Sequence, residues 1–368
     1  MIENKYKHYI LCIGFFICIL CLPISYIWTR NHIDTANYQN RPLAERPVLA
    51  WETLPDFPQD LEDYFNDHLP YKNQLTKMIN QIKYHLFRRS ASEDVIIGQE
   101  GWLFYKTTTD GSPMEQYFGR DLYTEEELMT IAENLILSEK YMADKGIEFV
   151  LLILPNKERV YYDKMPEQYA EPAEMYGTRQ LVEYLRENTD IRVVYPYEKL
   201  MKMREEYPDI DFYLHGDTHW NHAGAYVGTY ALYEELGMEM VPFEELEMIQ
   251  NTGSNLDLAG LINMRDYYMN DVNYEISGYK KGNIVCDYYD FDTEIILHNE
   301  DVEEGKIFVI RDSFASNMDD YLANGFAETY MVHNQVFEME MIEQQDPDVV
   351  VIETVERFAE GIIKYRFE

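Results

Sequence analysis

The spacing of hydrophobic positions changes several times along the chain, and each change predicts a different kind of element. Tyr9 to Trp28 is an unbroken run of uncharged, mostly apolar residues, long enough for a helix to cross a hydrocarbon core of about 30 Å. Lys5 and Lys7 precede it and Arg30 follows, a bias that favours an inside N-terminus. The run exceeds an ordinary signal-peptide core and no small-x-small site follows, so the expectation is an uncleaved anchor with the rest of the chain outside the cytoplasmic membrane. Residues 31–60 are polar and carry Pro42, Pro47, Pro55 and Pro58, the composition of an extended stalk. Leu61, Tyr64, Phe65 and Leu69, then Leu75, Met78, Ile79 and Ile82 beyond Pro70, follow helical spacing in two pieces. Val95 to Tyr105 reads as two short strands around a glycine-containing turn.

From about residue 120 the pattern alternates between helix and strand. Thr124-Glu125-Glu126-Glu127 is a capping box opening a helix to Lys145. Ile147–Leu154, Lys306–Ile310 and Val349–Glu353 are continuous apolar runs of the kind buried on both faces of a sheet. Shorter strands are expected at 191–194 and 328–332, and helices at 174–187, 197–206, 222–236, 316–324 and 338–345. Such alternation predicts an α/β fold with a mostly parallel sheet and helices on both faces. Residues 245–300, rich in Tyr, Asn and Asp, break the rhythm and read as an irregular or β-rich insertion. The expected organisation is a cytoplasmic tip and anchor over 1–30, a stalk and helical lead-in over 31–90, and a catalytic domain over 91–368.

Charge narrows the partners. Sixty-seven acidic residues face 31 basic ones, a formal net charge of −36, which disfavours nucleic acid and electrostatic docking on anionic lipid. Three of the four cysteines, Cys12, Cys18 and Cys21, lie in the apolar run; Cys286 stands alone in the rest, in a strand-like stretch, and has no disulfide partner there.

Two stretches carry chemistry. In Phe212-Tyr213-Leu214-His215-Gly216-Asp217-Thr218-His219-Trp220-Asn221, an extended course points Asp217 and His219 the same way, so that the acid orients the imidazole as in a triad. In Gly305-Lys306-Ile307-Phe308-Val309-Ile310-Arg311-Asp312-Ser313-Phe314, a buried strand delivers Ser313 to its carboxyl end, where α/β sheets build their sites. A helix start there offers backbone N–H groups to an oxyanion. Ser313 is the nucleophile candidate, His219 the base and Asp217 its partner, with Asp312 a second candidate for the orienting acid. Asn156, after the strand ending at Leu154, is a candidate oxyanion donor. Arg311 is a candidate for donor binding or a core ion pair, and Trp220 for shaping the site. Trp102 is expected to pack the hairpin onto the domain, and His333 to line the cleft. His215, Asp217, His219 and His222 lack the frame of a zinc site, so neither a metal nor a cofactor is expected.

Several motifs in one order resemble a known family. Gly98–Phe104 (Gly-x-x-Gly-Trp-Leu-Phe), Leu154–Lys157, Asp217–Trp220, Arg311–Phe314 and the C-terminal Pro347–Glu353 with Glu356-Arg357 look like the SGNH-hydrolase-like polysaccharide O-acetyltransferases, the alginate AlgX/AlgJ type and the Gram-positive DHHW proteins. The loop departs from that pattern, with Asp-Thr-His-Trp where Asp-His-His-Trp is usual. The resemblance implies an SGNH-hydrolase-like (flavodoxin-like) domain behind the transmembrane helix. It also implies an acetyl-Ser313 intermediate, a polysaccharide acceptor and a multispanning membrane O-acyltransferase that supplies acetyl groups. A carbohydrate acetylesterase with the same residues and a non-catalytic glycan-binding subunit are the rival readings.

Overall fold

The computed structural model describes residues 2–29, 31–33, 43–51, 53–169, 171–252, 256–279 and 281–368. The chain divides into two compact units, Met1–Ala91 and Ser92–Glu368.

In the first unit, helices span Ile2–Thr29, Phe57–Asp67 and Lys72–Phe87. Tyr71, at a φ of 60° between the last two, turns its hydroxyl to Ser25 Oγ at 2.9 Å. Asp67 accepts from the Ala44 N–H at 2.8 Å and pairs with Lys72 at 3.2 Å. Part of the expected stalk, residues 34–42, lies outside the described residues. Among the described residues, no helix is long and apolar enough to cross a membrane.

In the second unit the strands are β1 (Val95–Ile97), β2 (Leu103–Tyr105), β3 (Glu148–Leu154), β4 (Arg192–Val194), β5 (Glu247–Thr252), β6 (Val272–Ser277), β7 (Ile284–Tyr289), β8 (Glu294–Asn299), β9 (Lys306–Arg311), β10 (Glu328–His333) and β11 (Val349–Val355). β1 and β2 form the expected hairpin, and β5 and β6 a second antiparallel pair. The main sheet has seven strands in the order β4-β3-β11-β9-β10-β8-β7. From β4 to β10 all pairs are parallel, whereas β8 and β7 run antiparallel at the edge. The layers are those expected from the sequence, but the order is not that of flavodoxin. There the last parallel strand lies at the edge; here β11 is inserted between β3 and β9. The expected insertion is β-rich, and its second half, β7 and β8, completes the main sheet.

The period of two along the central strands builds both faces. Val150, Leu152, Leu154, Ile307, Val309, Val349 and Val351 face one core with Trp220, Phe314 and the helix His222–Leu236. Phe149, Leu151, Ile153, Phe308, Ile310, Val350 and Ile352 face the other, under the helices Glu125–Ala143 and Gly177–Asn188. Burying each such side chain contributes roughly 1.5–3 kcal/mol. The capping box is present: the Thr124 hydroxyl accepts from the Glu127 N–H, and the Glu127 carboxylate from the Thr124 N–H. The loops after β3, β9 and β11 leave the sheet side by side at its carboxyl end.

Candidate active site

The histidine loop is a closed turn rather than the extended segment its spacing predicts. Tyr213 and Trp220 bridge antiparallel, and the Leu214 N–H donates to the His219 carbonyl at 3.2 Å. Asp217 Oδ1 therefore accepts both the His219 N–H, at 3.0 Å, and its Nδ1, at 2.6 Å. Buried Lys157 holds this loop from below, donating to the carbonyls of Leu214 (3.0 Å), His215 (3.2 Å) and Asp217 (2.5 Å). Asp271 takes the N–H groups of His215 and Gly216 at 2.9 and 2.6 Å, and β2 adds Leu103 N–H to the His215 carbonyl at 2.9 Å. Trp220 closes the other end. Its indole N–H donates to the Phe314 carbonyl at 2.9 Å, and its ring lies so close to the helix His222–Leu236 that a Cβ on Gly228 would meet it at 2.3 Å.

The serine turn is held by carboxylates. Asp312 accepts the Phe314 N–H at 2.8 Å and the Val355 N–H at 2.6 Å, while its own N–H donates to Glu353 at 2.9 Å. Both Asp312 oxygens are thus engaged in the turn, so it does not serve as the orienting acid that the sequence left open. The turn leads into a 3-10 helix, Phe314–Met318, and puts Ser313 Oγ 2.8 Å from His219 Nε2. A continuous chain Ser313–His219–Asp217 results.

A second carboxylate joins it. The Asp257 N–H donates to Asp217 Oδ2 at 2.8 Å, and Asp257 Oδ2 lies 3.8 Å from His219 Nδ1. Thr218 fixes Asp257 through its N–H (2.8 Å) and hydroxyl (2.5 Å). Burial works against the ionised form of Asp217, but the hydrogen bonds and charge of His219 outweigh it and hold the carboxyl down at about 2. Burial likewise disfavours the imidazolium of His219, yet Asp217 and Asp257 raise the ring above its ordinary value. Burial, then the charge of Asp217, pushes Asp257 up. Asp257 lies in the insertion, far in sequence from either motif, and its only sequence signal is an acid at the start of a short helix, Asp257–Leu261.

The other candidates lie as follows. Trp220 is bonded to the serine turn, and Trp102 packs the hairpin, its ring 4.0 Å from Tyr161 and 4.1 Å from His215. Asn156 is buried with its Nδ2 donating to Gln116 Oε1 at 2.7 Å and its N–H to Glu356 at 2.9 Å, so that its side-chain amide serves the core. Arg311 donates to the carbonyls of Asp312 (3.3 Å) and Phe291 (2.8 Å), tying β9 to the β7–β8 turn. His333 pairs with Arg311 in register, with no bond to Ser313 or His219. Cys286 is exposed on β7. His215 bonds Asp211 at 2.9 Å and the ring of His222 faces Tyr321, so these histidines do not join His219 in a metal cluster. Asp217, His219 and Asp257 do bring three ligand-type atoms within 4.8 Å of one another, but Asp217 and His219 are already engaged with each other.

Residues 95–259 match the family model described as SGNH hydrolase-like domain, acetyltransferase AlgX. The matched range holds Asp217, His219 and Asp257 and ends before Ser313. Among solved structures, Bacillus cereus PatB1 is similar with a TM-score of 0.52 at 16% identity, over 74% of this chain and 99% of that one. The same protein with a sulfonyl adduct gives 0.52 at 14%, over 74% and 100%. A DHHW family protein from Eubacterium siraeum gives 0.51 at 15%, over 74% and 98%. At these identities the likeness is one of fold. No curated protein matches the chain by sequence.

Proposed function

We propose that the protein is an O-acetyltransferase that moves acetyl groups onto an extracellular or cell-wall polysaccharide through an acetyl-Ser313 intermediate. The observation that carries this reading is the hydrogen-bonded chain from Ser313 Oγ to His219 Nε2 (2.8 Å) and from His219 Nδ1 to Asp217 (2.6 Å), in a chain whose residues 95–259 match an acetyltransferase domain. His219 takes the Ser313 proton as Oγ attacks the acyl carbonyl, and returns it to the leaving group as the tetrahedral adduct collapses. A sugar hydroxyl then gives its proton to His219 and attacks the acetyl ester, freeing Ser313. Asp217 fixes the ring orientation and balances the imidazolium that forms at each step.

The same reading puts the catalytic unit outside the cytoplasmic membrane, anchored by residues 9–28, next to a multispanning O-acyltransferase that passes acetyl groups across. Its support is the apolar run Tyr9–Trp28 and the exposure of Ile13, Phe15, Phe16, Ile17, Leu20 and Ile24 on the helix Ile2–Thr29. Fractionation of the full chain against residues 31–368 tests it; equal recovery in the soluble fraction would remove the anchor.

The site itself is tested with the full chain in detergent and a chromogenic acetyl ester, with Ser313→Ala and His219→Ala alongside. The expected result is acetyl release by the wild type alone and an acetyl adduct on the Ser313 peptide. A sulfonyl fluoride is expected to modify the same serine, since a sulfonyl electrophile captures a nucleophilic oxygen. Equal behaviour of all three folded proteins would sink the enzyme reading, and acetyl release to water unaffected by any oligosaccharide would make the protein an acetylesterase.

A further inference from the structure

Among the described residues of the second unit, four cationic side chains are buried, Lys157, Arg159, Arg311 and Arg357. Three are engaged: Lys157 with three carbonyls, Arg159 with Glu356 and two carbonyls, and Arg311 with two carbonyls through its terminal nitrogens, its Nε being without a partner. Arg357 is 8% exposed, yet its guanidinium makes no hydrogen bond or ion pair with any described residue, and its Nε is fully buried without a partner. A cation so placed is costly unless something else supplies the acceptor.

Its position suggests what does. Arg357 follows β11, beside the serine turn, and its guanidinium carbon lies 5.3 Å from the ring of Phe314, the residue after Ser313. The ring of His219 lies 4.8 Å from that same Phe314 ring. Tyr105 and Phe358 complete the wall around Arg357 at 5.9 and 5.0 Å. Of the other donors near the serine turn, the Phe314 N–H bonds Asp312, and the amide of Asn156, expected from sequence as a donor, bonds Gln116. The site would otherwise have to stabilise a negative oxygen with little more than the Ser313 N–H.

We propose that Arg357 is a catalytic residue that donates to the oxyanion formed on the acyl carbon when Ser313 attacks. In this step the Ser313 O–H bond breaks, its proton passes to His219, the Oγ–carbon bond forms, and the carbonyl π pair moves to the oxygen that Arg357 receives. Collapse restores the carbonyl and expels the leaving group of an oxyester or thioester donor with the proton from His219. The second half, with a sugar hydroxyl as attacking group, uses the same guanidinium. The field of Arg357 already acts on His219, disfavouring the imidazolium that Asp217 and Asp257 favour.

The inference rests on Ser313 being the nucleophile, and the test separates the two. With 4-nitrophenyl acetate, a neutral substrate, Arg357→Met is expected to lower kcat about 10²-fold with KM within threefold. Added methylguanidinium is expected to restore part of kcat in Arg357→Gly, which a structural role would not permit. Should neither variant fold, Arg357→Lys keeps the charge without the planar fork and is expected to lose about tenfold in kcat. If Ser313→Ala is inactive while Arg357→Met or Arg357→Lys turns over like the wild type, Arg357 has no catalytic role and the nucleophile stands. If only KM for an anionic acceptor rises, Arg357 is an acceptor-binding residue and the oxyanion assignment is overturned. Activity retained by Ser313→Ala removes both.

Discussion

Lys157→Met isolates the group that holds the histidine loop in place. The substitution keeps most of the buried stem and deletes the ammonium. Three carbonyls lose a donor, but they lose it unequally: His215 keeps the Leu103 N–H, whereas Leu214 and Asp217 have no other donor among the described residues. Two buried orphan carbonyls cost about 1–3 kcal/mol each. Burial itself disfavours the Lys157 ammonium, so its removal offsets part of that loss. The net destabilisation is about 2–4 kcal/mol, and for a unit of this size Tm should fall by about 3–7 °C. Function should fall further. The Asp217 carbonyl belongs to the residue that orients His219, and a displacement of about 1 Å there is worth up to about 10²-fold in rate. The assay is thermal unfolding by circular dichroism together with kcat on a chromogenic acetyl ester, measured well below the lower Tm. A variant with unchanged Tm and kcat within twofold of wild type would refute the idea that the ammonium organises the loop. A lower Tm with intact kcat would show that it holds the fold but not the geometry.

Other expectations follow from the same contacts. In the proposed reaction neutral His219 is the base, and although burial disfavours its imidazolium, Asp217 and Asp257 raise the ring above the ordinary value against the opposing field of Arg357; the acid limb of kcat/KM should therefore lie above the ordinary imidazole range, and Asp257→Asn should move it to lower pH, an unmoved limb being the contrary result. Asp217 is held down at about 2, so its contribution to stability is complete above the ordinary carboxylate range and should fade as pH falls toward 2; Asp217→Asn should abolish that part of the acid dependence of Tm. Asp319 is pushed up to about 6, by burial first and by the charge of Asp320; the stability it costs is lost as pH rises from the ordinary carboxylate range to that value and the loss is complete above it, so Asp319→Asn should raise Tm at pH 7.5 and have little effect at pH 4. Gly228→Ala would drive a methyl into the Trp220 ring and should cost about 1–3 kcal/mol with a fall in kcat, because Trp220 is also bonded to the serine turn; wild-type values of both would show that the ring has room to move.

The parts of the fold readable in advance are those whose signal is local. The runs of β3, β9 and β11 are apolar on both faces because both faces are covered, and the capping box at Thr124 depends only on residues three apart. Strand order is not local. β11 comes last in the chain and sits centrally in the sheet, and only its length and its burial in all seven positions hint at that place. Nor is the join of β7 and β8 to the sheet local: β7 has an exposed, polar pattern that reads equally well as an independent hairpin.

The same distinction separates the site residues found from those missed. Asp217 and His219 are two residues apart, so their pairing survives even though the segment is a turn and not the extended stretch assumed for it. Asn156 and Arg311 stand at the expected strand ends, but what their side chains do is decided by distant groups: Gln116 captures one, and the Phe291 carbonyl of the β7–β8 turn the other. Asp257 and Arg357 were not singled out as site residues for the converse reason. Nothing near Asp257 marks it, and Glu356-Arg357 entered only as part of a family-like C-terminal motif with no role attached; Asp257 joins the site because the insertion folds back to offer its N–H to Asp217, and Arg357 stands out only once the partners of the other buried cations are known. A central strand can carry an acid such as Glu353 for the same kind of reason, since the Asp312 N–H of the neighbouring serine turn gives it a partner. Polar residues inside this domain therefore fall into two groups, those that brace the loops bearing Ser313 and His219 and those left open toward them, and the second group is where its chemistry is to be sought.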